Sequence, residues 1–202
     1  MEPIEIAIYF FIPALAYAIG AIPFGLILAK RFSNTDVRQA GSGNIGATNV
    51  SRVAGKKLGA ITLVCDILKG GGPVFLAGMV PSGNPATAMA MAGMAAFLGH
   101  LYPVYSGFKG GGKGVATACG CFLVAAPYAC MAALGVFVAA VLIFRRVSAG
   151  SLLAALSLPV AVWLFYAAGP ILVFAMAVAL LVMIRHRTNI KRLISGREPP
   201  FF

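Results

Sequence analysis

Long apolar runs, separated by short intervals that are basic, glycine-rich or marked by proline, divide this chain into segments. The first run, Ile4 to about Ala29, is long enough to cross a bilayer and carries Pro13 and Pro23 as kinks. A polar interval follows, holding Lys30, Arg31, Arg38, Arg52, Lys56 and Lys57. The second run, Leu58 to Val80, contains Gly70-Gly71-Gly72-Pro73, which predicts an interrupted helix. The uncharged turn Pro81 to Pro85 leads into a third run, Ala86 to His100, after which Tyr102 and Tyr105 suit the headgroup region. A second glycine-rich basic interval, Gly107 to Gly114, comes next. Val115 to Phe144 is then apolar until Arg145 and Arg146. Val147 to Ala168, a Gly169-Pro170 turn and Ile171 to Ile184 complete the apolar segments, and Arg185-His186-Arg187 opens a basic tail.

Excess Lys and Arg mark cytoplasmic loops, so the interval after the first run lies inside and the N-terminus outside. The glycine loop before Val115 and the arginine pair after Phe144 then share one side, and the chain crosses an even number of times between them. Pro127 divides that stretch into spans of 12 and 17 residues. The first is short for a full crossing and is tilted, thinned around or partly re-entrant. The expectation is an all-α polytopic membrane protein of about seven transmembrane helices, with the C-terminus cytoplasmic and residues 1–202 forming one integral-membrane domain.

Composition sharpens this picture. Hydrophobic residues at 60%, charged ones at 10% and a mean hydropathy of +0.93 exclude a soluble domain. Glu2 and Glu5, with an apolar run longer than a signal peptide's, argue that the first segment is retained. A net charge of +11 would suggest nucleic acid in a soluble protein. Here cytoplasmic loops and anionic lipid headgroups account for it, and no aromatic-interleaved basic surface is present. The cysteines, Cys65, Cys119, Cys121 and Cys130, sit in apolar surroundings without C-x-x-C spacing, and read as small hydrophobes rather than a metal site or disulfide framework.

The polar intervals carry the chemistry. Gly41-Ser42-Gly43-Asn44-Ile45-Gly46-Ala47-Thr48-Asn49, with Arg52 close behind, concentrates glycines, neutral donors and a guanidinium. Glycines allow backbone N–H groups to turn toward one point, and the guanidinium fork suits phosphate oxygens. A phosphate or acyl-phosphate is the expected guest. Gly107, Gly112 and Lys113 match G-x-x-x-x-G-K, but Gly114 stands where a nucleotide loop needs Ser or Thr for magnesium. What remains is a flexible backbone with a lysine for an anion. His186 has Asn189 one turn along the same face, a pair able to bind a polyol or phosphate, whereas His100 lacks such a companion in the sequence. A histidine followed five residues later by aspartate, common in membrane acyltransferases, is absent. Asp66 and Lys69 inside the second run leave two readings open: groups facing a partner or watery cavity, or a local i,i+3 ion pair at the membrane edge.

Taken in order, Gly41 to Asn49 with Arg52, Asp66-x-x-Lys69-Gly70, Gly99-His100, Phe108 with Lys113-Gly-Val-Ala-Thr117, and His186-x-x-Asn189-Ile190 with Arg192, Leu193, Gly196 and Glu198 resemble the bacterial acyl-phosphate-dependent glycerol-3-phosphate acyltransferase family. The resemblance spans essentially the whole chain. It implies a seven-helix inner-membrane enzyme with its site facing the cytoplasm. Such an enzyme moves a fatty acyl group from acyl-phosphate to the 1-hydroxyl of glycerol 3-phosphate, without coenzyme A, acyl carrier protein or metal. It implies Ser42, Arg52, Lys113 and His186 as catalytic residues. Gly41, Gly43, Asn44, Gly46, Thr48, Asn49, Lys69, Gly112, Gly114 and Asn189 are then substrate-binding. Where the family has two glycines before its loop lysine this chain has three, Gly110, Gly111 and Gly112, and Gly114-Val115-Ala116-Thr117 sets Lys113 in register, with Lys109 as the alternative. The proton acceptor is His186 or the donor's own phosphate. A transporter for an organic phosphate is the competing class, but it calls for charge near the bilayer midplane and a repeat, neither of which the sequence displays.

Overall fold

Proline decides how the first apolar run folds in the computed structural model, which describes residues 5, 7–81 and 84–200. A π-helical turn, Ala7–Phe11, leads into α1 (Ile12–Gly20). Pro13 lies in the first turn of α1, directly after the π-helical turn. Pro23 breaks the run: the backbone leaves the helix at Ala21 and α2 (Phe24–Ser33) starts afresh. The start of the run at Ile4, and Ser82-Gly83 in the turn after the second run, lie outside the described residues.

After α2 the polar interval forms a loop and a short helix, α3 (Ala47–Val53), packed on α4 (Lys56–Met79). The expected interruption at Gly70 to Pro73 is absent, and α4 runs unbroken with Pro73 inside it. The glycines there serve close packing. A Cβ on Gly70 would sit 2.2 Å from the Thr117 carbonyl oxygen, and one on Gly120 would sit 1.9 Å from that of Ile67. Backbones at that separation gain dispersion along two helices, which outweighs the low helix propensity of glycine, as at small-residue crossings in membranes.

Asn84 caps α5 (Pro85–Leu101) by accepting the Thr87 N–H at 3.1 Å. A turn at Val104–Ser106 and the glycine loop lead to α6 (Val115–Ala125), and Pro127 divides the next stretch as expected by opening α7 (Pro127–Phe144). The chain ends with α8 (Val147–Tyr166), α9 (Pro170–Arg185) and α10 (Arg187–Ile194), the last bent 61° from α9. Around Phe97, Phe122 and Phe174 the helices α4 to α9 share one core, with the Phe122 and Phe174 rings stacked at 4.5 Å. Large apolar side chains such as Leu68, Phe75, Leu142, Ile143 and Leu164 face outward, as lipid contact requires.

Five described stretches are long and apolar enough to span a bilayer: Tyr9–Ser33, Lys56–Met79, Pro85–Ser106, Pro127–Phe144 and Val147–Tyr166. The bent α9–α10 pair makes a sixth. At about 1.5 Å per residue α6 is far shorter than a hydrocarbon core of roughly 30 Å. The protein is a multi-pass, all-helical membrane protein.

Candidate active site

Asn49 is the centre of the first loop. Its side chain is buried; Nδ2 is shared among the carbonyls of Val37, Ala40 and Asn44 at 2.8 to 3.1 Å, and Oδ1 accepts the Ser42 N–H at 2.8 Å. This commits the amide to the loop itself rather than to a ligand. Gly41, at φ +62, has no room for a side chain, because a Cβ would lie 2.3 Å from Asn49 Oδ1. Gly46 has an ordinary φ of −76 and donates its N–H to Asn44 Oδ1, while the Gly43 N–H goes to Ala40. The amides of Ser42, Gly43 and Gly46 are thus already bonded within the loop.

The second loop is clamped by arginine. Arg185, the last residue of α9, donates from Nε to the Gly112 carbonyl at 3.1 Å and from Nη2 to that of Gly111 at 2.6 Å. Its guanidinium also lies 5.6 Å from the centre of the Tyr102 ring, a cation–π arrangement. Gly114, at φ +82, turns the chain into α6 against the Phe97 ring, which a Cβ would meet at 2.2 Å. Lys113 consequently projects toward α10, where Nζ donates to Asn189 Oδ1 at 2.6 Å.

The α9–α10 bend supplies the third wall. His186 occupies it, buried, with Nδ1 donating to the Val182 carbonyl at 2.9 Å, so a neutral ring keeps Nε2 as its acceptor. The Asn189 Nδ2 donates to Glu198 Oε1 at 2.6 Å, and Glu198 also accepts from Ser148 at 2.7 Å and from Arg192 Nε at 2.8 Å. These bonds and the Arg192 charge outweigh the burial that would raise the Glu198 carboxyl, and hold it below its usual value. Burial, reinforced by the charges of Arg192, Arg185 and Arg52 and opposed by Glu198, lowers Lys113 to about 8.

Together these segments enclose a polar basin of about 550 Å³ lined by Ser42, Gly43, Asn44, Tyr102, Lys113, Ile184, Arg185, Arg187, Thr188 and Arg192. Beside it lies a narrow apolar cleft between α6, α7, α8 and α9, walled by Val115, Phe122, Phe137, Leu158 and Val182 among others. Val115 of the cleft follows Lys113 of the basin by two residues in the chain, and Val182 of the cleft precedes Ile184 of the basin by two.

Of the residues singled out from sequence, Ser42, Gly43, Asn44 and Lys113 meet on the basin wall. Asn189 touches Lys113, and Gly41, Gly46, Asn49, Gly112 and Gly114 shape the loops. Thr48 is half-buried on α3, and Arg52 is exposed there, near enough for its charge to act on Lys113. Lys69 stands apart from the basin. It is 2% exposed at its side chain, paired with Asp66 at 2.8 Å and bonded to the Ile22 carbonyl at 2.8 Å. The Asp66–Lys69 alternatives resolve to a buried i,i+3 pair inside the bundle. Sequence reasoning missed Tyr102, Arg185, Arg187 and Thr188 as wall residues; the arginines were absorbed into the positive-inside pattern. Glu198 and Arg192 were visible only within a resemblance, with no role attached.

Known proteins resemble this chain along nearly its whole length. The family described as Glycerol-3-phosphate acyltransferase matches residues 10–196. A glycerol-3-phosphate acyltransferase of Desulfotalea psychrophila is 50% identical, covering 94% of this chain and 96% of its own. One from Syntrophotalea carbinolica is 51% identical, covering 92% and 94%. The crystal structure of PlsY (YgiH), an integral membrane glycerol 3-phosphate acyltransferase in its glycerol 3-phosphate form, superposes with a TM-score of 0.90 at 38% identity over 96% of each chain. Its lysophosphatidic acid form gives 0.86 at 36%, covering 95% of this chain and 94% of that one. A match that begins inside the first membrane run and ends beyond Asn189, with near-complete coverage of relatives at half identity, means that the chain belongs to the glycerol-3-phosphate acyltransferase family.

Proposed function

We propose that this protein transfers a fatty acyl group from acyl-phosphate to the 1-hydroxyl of glycerol 3-phosphate, releasing lysophosphatidic acid and phosphate, as the first acylation of phospholipid synthesis. The observation that carries the proposal is a cationic basin lined by Ser42, Asn44, Lys113, Arg187 and Arg192, in a bundle that also holds an apolar cleft among α6 to α9. A donor with a phosphate head and an alkyl tail uses both at once. The relatives' names supply the acceptor, glycerol 3-phosphate.

The tail of the donor lies in the cleft and its phosphate meets Ser42, Asn44 and Lys113, with Arg52 adding charge from α3. Glycerol 3-phosphate sits toward α10, where Arg187, Thr188 and Arg192 offer donors to its phosphate and Asn189 and His186 border its hydroxyls. Lys69 belongs to the framework. Acyl-phosphate is a mixed anhydride with a good leaving group, so no covalent serine is needed, and the protein's task is alignment and charge stabilisation. The attacking hydroxyl loses its proton to the donor's own phosphate, while the Val182 carbonyl holds the His186 Nδ1–H and leaves Nε2 free. His186 then orients through Nε2. Seven crossings with α6 as the short one put all three polar segments on the cytoplasmic face of the bacterial inner membrane.

The test is phosphate release by purified protein in detergent, given palmitoyl-phosphate with and without glycerol 3-phosphate. Release should need both substrates and disappear in Lys113→Ala, while His186→Asn should keep appreciable turnover with a raised KM for glycerol 3-phosphate. Release without the acceptor, or none with lipid and detergent varied, would sink the reading and turn attention to phosphate-ester transport.

A further inference from the structure

The mechanism makes no use of His100, yet the histidine occupies a singular place. It is buried at the end of α5, 3% exposed, directly beneath the glycine loop. A Cβ on Gly112 would lie 1.9 Å from His100 Nε2, 2.7 Å from Cε1 and 2.9 Å from Cδ2, so the Gly112 backbone rests on the edge of the imidazole. The Gly112 N–H donates to the His100 carbonyl at 3.1 Å, which fixes the same two residues a second time. Arg185 holds Gly111 and Gly112 through their carbonyls. Lys113, the next residue, therefore has its height above the bundle set by the ring below and the guanidinium that grips the loop.

On its other edge the imidazole faces the buried pair. His100 Nδ1 is fully buried, has no hydrogen-bond partner among the described residues, and lies 3.8 Å from Asp66 Oδ1. Asp66 is bonded to Lys69, which reaches the Ile22 carbonyl at the break between α1 and α2. A row of groups thus runs from the first helix break through α4 and α5 to the loop that carries Lys113.

We propose that His100 is a positioning residue of the acyl transfer: its ring is the seat of Gly112, braced by the Asp66–Lys69 pair, and it sets where the Lys113 ammonium stands. The inference rests on the acyl-transfer reading for its kinetic arm and on loop geometry alone for its second arm. Two consequences distinguish a seat from a general contribution to folding. Shortening the ring lets the loop sink, and a methyl group on Gly112, which clashes with the intact ring, fits once the ring is shortened.

The experiment is a compensation series in detergent-purified full-length protein, reading phosphate release from palmitoyl-phosphate and glycerol 3-phosphate. Gly112→Ala should lower kcat/KM by about 100-fold, the usual scale for a misplacement near 1 Å, and His100→Ala by about tenfold. The double variant should recover at least about tenfold over Gly112→Ala, a coupling expected only of residues in direct contact. His100→Asn, shorter but still polar, repeats the series where the alanine variant fails to insert. A double variant no better than Gly112→Ala in either series overturns the proposal. Hydrogen exchange separates this failure from failure of the functional reading. With no release even from wild type, His100→Asn that speeds exchange at 110–114 but not in α8 upholds the seat, and unchanged exchange there overturns it.

Discussion

Asn189 divides its amide between Glu198 and Lys113, and this fixes its orientation, since a carboxylate accepts and an ammonium only donates. Lys113 is thereby aimed without being neutralised, because the nearest carboxylate reaches it only through the amide. Its lowered value of about 8 has a kinetic signature. The ammonium form binds donor phosphate, so kcat/KM should be level from about neutral pH, where the substrate phosphates are already ionised, and fall as the pH rises through about 8. Lys113→Arg, protonated at every accessible pH, should abolish the fall even where it lowers the plateau. A profile unchanged by the substitution would detach the limb from Lys113. The opposite arrangement holds at Asp66 and Lys69, whose 2.8 Å pair is buried. Removing one partner of such a pair typically costs about 3–5 kcal/mol, in keeping with a framework role.

At the scale of elements, the crossing of α4 and α6 depends on Gly70, Gly71 and Gly120, each facing a carbonyl of the other helix. Gly120→Val should destabilise the protein by at least about 1–3 kcal/mol, the range for forcing bulk into a packed core, and lower the thermal midpoint in detergent. Gly72→Ala, in the same run but facing open space, should leave it unchanged or slightly higher. These glycines also show why part of the molecule was legible in the sequence and part was not. Hydropathy located the apolar segments because lipid demands continuous apolar runs, and Pro127 marked a true helix start. Gly70 to Pro73 misled, since a local propensity for breaking was overruled by a partner helix about fifty residues away. The same distance effect hid the site. Lys113 and Asn189 stand 76 residues apart and meet at 2.6 Å. Asn49 was read as a donor to ligand, but its neighbours in space are the carbonyls it supports. Residue types named the chemistry; only the fold could say which groups were already engaged.

On the scale of the whole molecule, basic residues from three segments gather around one basin, and the seven-crossing arrangement we propose would put that end in the cytoplasm. A cysteine placed at Lys109, exposed in the glycine loop, should react with an impermeant maleimide only in inside-out vesicles, whereas one at Pro81 should react only in right-side-out vesicles. Reaction of both from the same side would overturn the arrangement. The apolar cleft has a further consequence. One of its wall residues, Leu134, is also part of the outer, lipid-facing surface of α7. A donor entering there comes sideways out of the leaflet while its acceptor comes from water. The concentration that governs catalysis is then the mole fraction of donor in the surrounding film, so adding inert detergent at fixed total donor slows the enzyme by surface dilution, as though its substrate had been withdrawn.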